Sequence, residues 1–148
     1  MRKEVMRMSK KIRAILFAIY CGMMILLLFE PWNMSFDSAH YHLNLHPFET
    51  IRGYFYILRT PEVNAVASLH GYAVTNLAGN VVMFVPLGYF IARRMRSAWF
   101  CIPVCICIIA AVELLQLVSG VRSCDIDDLI LNTLGCAIGY ALSAAFRK

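Results

Sequence analysis

The chain has 148 residues, 60% of them hydrophobic and 16% charged, with a formal net charge of +5 and a mean hydropathy of +0.65. That composition excludes a soluble globular domain of ordinary usage, and the length leaves room for one membrane domain. The positive charge sits at the ends of apolar runs, so it reads as an orientation signal with some attraction to anionic lipid and is no sign of nucleic-acid binding.

A bilayer core of roughly 30 Å needs about 17 to 25 mostly apolar residues in a helix rising 1.5 Å per residue. In chain order, Arg2, Lys3, Arg7, Lys10, Lys11 and Arg13 come before the first apolar run, residues 14–29. This resembles the start of a secretory signal. The following Glu30-Pro31-Trp32-Asn33 lacks a small-x-small cleavage pattern, which points to an uncleaved anchor with Trp32 at the interface. The longest polar piece comes next and holds His40, His42 and His46, with His70 further on. Imidazoles beside carboxylates are a divalent-metal donor set, although the spacing of these histidines matches no recognised ligand pattern and a polar loop needs no metal to explain it. Residues 48–58 mix Phe, Tyr and Ile with Glu49 and Arg52, as suits a helix lying in the interface and forming a lip.

Further apolar runs cover residues 74–92, 97–118 and 129–146; the first and last carry no charge, and the middle one is interrupted only by Glu113 and Gln116. Arg93, Arg94 and Arg96 lie between the first two of these, and Arg147 and Lys148 follow the last. With the N-terminus inside, eleven basic residues fall on the inner side, against Arg52, Arg59 and Arg122 outside. The sequence therefore predicts an all-α, integral-membrane four-helix bundle with both termini inside. The outer loop carries an interfacial helix, and one domain over residues 1–148 sits as a multi-pass protein in the cell membrane.

Counting up from the inner basic residues at 1.5 Å per residue puts Asn80 at about 20 Å, Glu113 at about 26 Å, Asn132 at about 22 Å and Asp128 at about 28 Å. Three different helices thus bring polar groups to one level near the outer surface. Helical spacing gives each set a single face: Asn76 with Asn80, Glu113 with Gln116, and Asp125, Asp128, Asn132, Gly135 and Gly139. Lipid satisfies neither carboxylates nor a small-residue stripe, so these faces are expected to turn inward around a polar pocket. Taken singly, Asp125 or Asp128 suits a helix cap, and Asn76, Asn80, Gln116 and Asn132 suit interhelical hydrogen bonding. Glu113 demands more, because a charge at the centre of a membrane helix costs about 2.5 to 3.5 kcal/mol on insertion scales. It calls for protonation, water or a partner such as Arg122, and it is a functional candidate. The pair Gly135 and Gly139 forms a small-xxx-small pattern, read as close packing and as the surface through which a homo-oligomer would form. Five of the six cysteines fall within the apolar runs and read as small apolar fillers. Cys124 alone lies outside them, beside Asp125, in a setting that does not favour a thiolate.

Four blocks then carry a resemblance: Asn44-Leu45-His46-Pro47-Phe48-Glu49-Thr50-Ile51; Asn76-Leu77-Ala78-Gly79-Asn80 with Phe84-Val85-Pro86-Leu87-Gly88; Glu113-Leu114-Leu115-Gln116; and Arg122 with Asp125-Ile126-Asp127-Asp128 and Asn132-Thr133-Leu134-Gly135. In order and spacing, over about residues 44–140, they resemble the VanZ-like family of membrane proteins. The founding member of that family is linked to low-level resistance to the glycopeptide antibiotic teicoplanin, so the resemblance implies a role in the cell envelope without assigning roles to single residues. One departure is that Ala111 and Val112 are apolar where relatives often have a serine, which thins the polar pocket.

Three functions are consistent with this pattern. The preferred one is binding or modification of an outer-leaflet amphiphile, with membrane lipids or lipid-linked envelope precursors as partners. Its binding residues are Asn76, Asn80, Glu113, Gln116, Arg122, Asp125, Asp127, Asp128 and Asn132. A second is an enzyme, a hydrolase or transferase acting on a lipid-linked phosphate, with Glu113, Asp125 and Asp128 as catalytic candidates. It requires a divalent cation, because bare carboxylates repel both one another and a phosphate. The third is a small transporter or channel subunit that assembles through Gly135 and Gly139.

Overall fold

The computed structural model describes residues 2–29, 43–60, 67–120 and 124–146. Among the described residues are five helices: α1 (Arg2–Phe29), α2 (Glu49–Arg59), α3 (Ala67–Arg94), α4 (Ala98–Val118) and α5 (Ile126–Ala145). Four of them, over Lys11–Phe29, Ser68–Arg94, Ala98–Val118 and Ile126–Ala145, are long and apolar enough to cross a membrane. The all-α class and the number of spans agree with the sequence. The chain divides into two compact units, Met1–Ser35 and Phe36–Lys148.

The described residues of the first unit form α1. Ile15, Leu16, Ile19, Met23 and Leu26 are each more than half exposed, so its apolar side chains cover the helix rather than one stripe, as lipid contact permits.

In the second unit, α3 and α4 are joined by a short turn at Met95–Ser97, and α5 returns alongside them. The Tyr140 hydroxyl donates to the Arg96 carbonyl at 3.1 Å, which ties α5 to that turn. Arg93, Arg94 and Arg96 mark this arginine end of the unit. α4 stops at Ser119 and Gly120, where Gly120 takes a left-handed φ of 67° and its N–H donates to the Leu117 carbonyl at 3.1 Å.

Glycine decides how closely α3 and α5 approach. A Cβ on Gly135 would stand 2.1 Å from the Val81 carbonyl oxygen, one on Gly139 would stand 2.0 Å from that of Val85, and one on Gly88 would stand 2.1 Å from that of Cys136. All three contacts are backbone to backbone, so no side chain at these positions fits without separating the helices. The face expected to join copies of the chain is therefore taken up inside it, against α3. Gly88 contributes equally from the opposite helix, a part the sequence reading did not give it. Phe84, Cys101, Cys105, Ile109 and Cys136 fill the buried core of this bundle; of the five span cysteines read as apolar filler these three are buried, while Cys21 is half-buried and Cys107 exposed.

The opposite end is closed by an arrangement that periodicity does not reveal. The short strand β1 (Leu43–Asn44) pairs in parallel with β2 (Cys124–Asp125), Leu43 opposite Cys124 and Asn44 opposite Asp125. α2 follows directly and lies along the start of α3, where Tyr54 and Tyr72 meet edge to face with centroids 5.9 Å apart. A helix stands where one is expected over residues 48–58, shifted by one residue. Two spans begin earlier than the apolar runs suggest. α3 gains turns before residue 74 that pack on α2, and α5 starts at Ile126 because Asp125 caps it.

Candidate functional site

The tract Asp125-Ile126-Asp127-Asp128 opens α5 and divides its carboxylates between two tasks. Asp125 is the N-cap: its extended backbone (φ −122°, ψ 127°) lets Oδ1 accept from the Asp127 N–H at 2.9 Å. Its other oxygen, Oδ2, accepts from the Thr50 hydroxyl at 2.6 Å and, more distantly, from Asn44 Nδ2 at 3.5 Å. Asn44 Nδ2 also donates to Thr50 Oγ1 at 3.2 Å, and Asn44 Oδ1 accepts from the His46 N–H at 3.0 Å, an Asx turn that leads the chain into Pro47.

Asp127 is fully buried and caps a different helix. Its Oδ1 accepts from the Phe48 N–H at 2.5 Å and its Oδ2 from the Ile51 N–H at 3.0 Å. Phe48 is the N-cap residue of α2 and has no side-chain oxygen to satisfy its helix, so a carboxylate from α5 does so instead. Phe48 holds a left-handed φ of 67°, a conformation that costs a non-glycine residue on the order of 1 kcal/mol. The charge-assisted bond to Asp127 offsets that cost. Together, Asn44, Thr50, Asp125 and Asp127 form a clasp that fixes α2 and the short β1–β2 pairing over this end of the bundle.

Asp128 turns the other way, toward α3, and its Oδ1 accepts from Asn80 Nδ2 at 2.6 Å in a buried bond. Asn132, one turn along α5, is 2% exposed, and Glu113 and Gln116 on α4 are 5% and 3% exposed. Asn76 is buried one turn from Asn80 and donates from Nδ2 to the Tyr72 carbonyl of its own helix at 2.8 Å. The structure thus brings together Asn76, Asn80, Glu113, Gln116, Asp128 and Asn132 as buried polar groups on the facing sides of α3, α4 and α5. The expected open pocket is instead a closed cluster, since none of the six is more than 8% exposed.

Cys124 reports the field at this end. Burial pushes its thiol above the ordinary value, and the charges of Glu113, Asp125 and Asp128 push it further in the same direction. Glu113 therefore reaches the same neighbourhood as the α5 carboxylates. The sequence reading of Cys124 as an unreactive thiol fits this setting.

Asp125 and Asp127 do not join the cluster, because the clasp commits their oxygens. Among the described residues, no three or more His, Cys, Asp or Glu groups are placed to hold a metal ion. Of the metal candidates, His46 is exposed, while His40 and His42, like the binding candidate Arg122, lie outside the described residues.

The VanZ/LLP1 family model matches residues 16–147, most of both units. The chain belongs to the VanZ/LLP1 family. No curated protein and no solved structure matches it. For this VanZ/LLP1 protein, the residues that sequence reasoning missed are Asn44, Thr50 and Gly88. The signal for the first two lay in the Asn-x-His-Pro turn before an amphipathic helix. For Gly88 the sequence offered only a glycine inside an apolar helix.

Proposed function

We propose that this VanZ/LLP1 protein is a multi-pass protein of the cell membrane, with both termini on the cytoplasmic side, that binds an outer-leaflet amphiphile through its buried polar cluster. In doing so it alters the access of teicoplanin-type glycopeptides to their target. The observation that carries this reading is the Asn80–Asp128 bond inside a group of carboxyl and carboxamide side chains drawn from three apolar helices. Keeping such groups among lipid-facing helices is costly, and intramembrane acids are functional candidates for that reason. The excess of basic residues at the arginine end supports the orientation, which puts the cluster under the outer surface. An amphiphile fits better than a soluble ligand because the cluster lies beside lipid, where an acyl chain remains in its own solvent while the head group reaches inward.

The test is a set of single substitutions, Glu113→Gln, Asp128→Asn and Asn132→Ala, in a strain challenged with teicoplanin, with membrane abundance measured in parallel. The expected result is loss of protection at normal abundance. Full protection in all three variants would reduce the cluster to scaffolding.

A further inference from the structure

We infer that the head group taken by this cluster is a cationic hydrogen-bond donor, a primary ammonium, and not a phosphate or carboxylate. This rests on the amphiphile-binding reading above and narrows it. Asn132 supplies the decisive observation. Its side-chain oxygen is buried and accepts no hydrogen bond, in a residue only 2% exposed. A buried acceptor left without a donor is costly, so a native protein keeps one where something else supplies the donor. The orphan atom stands one helical turn from Asp128, on the α5 face that also carries Gly135, and Gly135 abuts the α3 backbone. It is therefore turned inward, toward the level at which Asn80 meets Asp128.

The chemistry around it sets the sign of the ligand. An ionised carboxylate offers acceptors only, as Asp128 does to Asn80. Glu113 and Asp128 are buried acids on the helices around this atom, and both raise the Cys124 thiol at the same end of the bundle. An anionic group entering there meets like charge and an unfilled acceptor. An ammonium meets opposite charge and brings three N–H donors, enough for Asn132 Oδ1 and a carboxylate together. A bare divalent metal is the weaker fit, since no three acidic or histidine groups among the described residues converge as metal ligands. The phosphate of an aminophospholipid would remain at the surface, where Arg52 of α2 is exposed.

The probe is dihexanoyl-phosphatidylethanolamine, titrated into the purified full-length chain in non-ionic detergent and read by native mass spectrometry. Its N-acetylated derivative, dihexanoyl-phosphatidylglycerol and free phosphoethanolamine serve as comparisons. The expected result is binding of the ethanolamine lipid, at least about tenfold weaker binding after N-acetylation, and a similar loss with Asp128→Asn or Asn132→Leu. The head-group comparison is made on the unaltered chain, so it stands even where a variant fails to fold. Equal binding of all three lipids would overturn the ammonium assignment and leave the amphiphile reading in place, and preference for phosphatidylglycerol would do the same. Free phosphoethanolamine binding as tightly as the lipid would support the ammonium and overturn the amphiphile. Binding of no probe at all would overturn the ammonium assignment as stated.

Discussion

Asp127 and Asp128 are adjacent, of one chemical type and almost equally buried, yet they belong to different parts of the molecule. Asp127 faces α2, and both its oxygens are filled by backbone N–H groups that no other side chain serves. Asp128 faces α3, bonds a carboxamide, and has below it an amide oxygen that receives nothing. On a helix, consecutive residues point about 100° apart, so a single step along the chain passes from scaffold to site. Burial alone does not separate a structural acid from a functional one. The neighbour does: one turn from Asp128 lies the amide oxygen of Asn132, buried without a donor.

Both regions ride on α5, and the largest effect comes from moving that helix. Gly135→Leu places a side chain where a Cβ alone would already stand 2.1 Å from the Val81 carbonyl oxygen. The expected cost is more than about 4 kcal/mol, since backbone cannot give way as a side-chain end can. Chemical unfolding in detergent, or loss of membrane abundance, measures it. A variant as stable as the parent would show that α3 and α5 do not depend on this approach, and the clasp and the cluster would then lose their common frame.

How much of this was legible in the sequence follows from the range of each interaction. The four spans, α2 and the inward polar faces follow from local periodicity, and the cap at Asp125 follows from an acid placed just before a helical run. The role of Asp127 was hidden because its partners, the N–H groups of Phe48 and Ile51, lie 79 and 76 residues away and belong to the backbone, which carries no residue-type signal. The β1–β2 pairing is two residues long, too short for an alternating pattern to register. The glycine stripe was visible, but which surface it served was not, because intramolecular and intermolecular packing demand the same small residues. Periodicity therefore groups Asp125 with the buried cluster although its oxygens meet the clasp, and it leaves open that the glycine face packs on α3.

A gentler probe of the cluster is the thiol beside it. Because burial and then the charges of Glu113, Asp125 and Asp128 push the Cys124 thiol up, its thiolate forms only at higher pH than an ordinary cysteine requires. Site-resolved alkylation with a water-soluble maleimide is therefore expected to be slow at neutral pH and to rise late with pH. Glu113→Gln removes one of the opposing charges and is expected to raise the rate severalfold at a fixed pH. An unchanged profile would separate Glu113 from the α5 carboxylates and shrink the cluster to α3 and α5.

The division of labour within the acidic tract is tested most directly by comparing the unfolding free energies of Asp127→Asn and Asp128→Asn in the same detergent. Asparagine at 127 still offers one oxygen but turns an N–H₂ donor toward the second backbone N–H of α2, while asparagine at 128 keeps an oxygen for Asn80. The account predicts that Asp127→Asn costs about 2 kcal/mol more than Asp128→Asn. Equal losses, or a larger loss at 128, would contradict it.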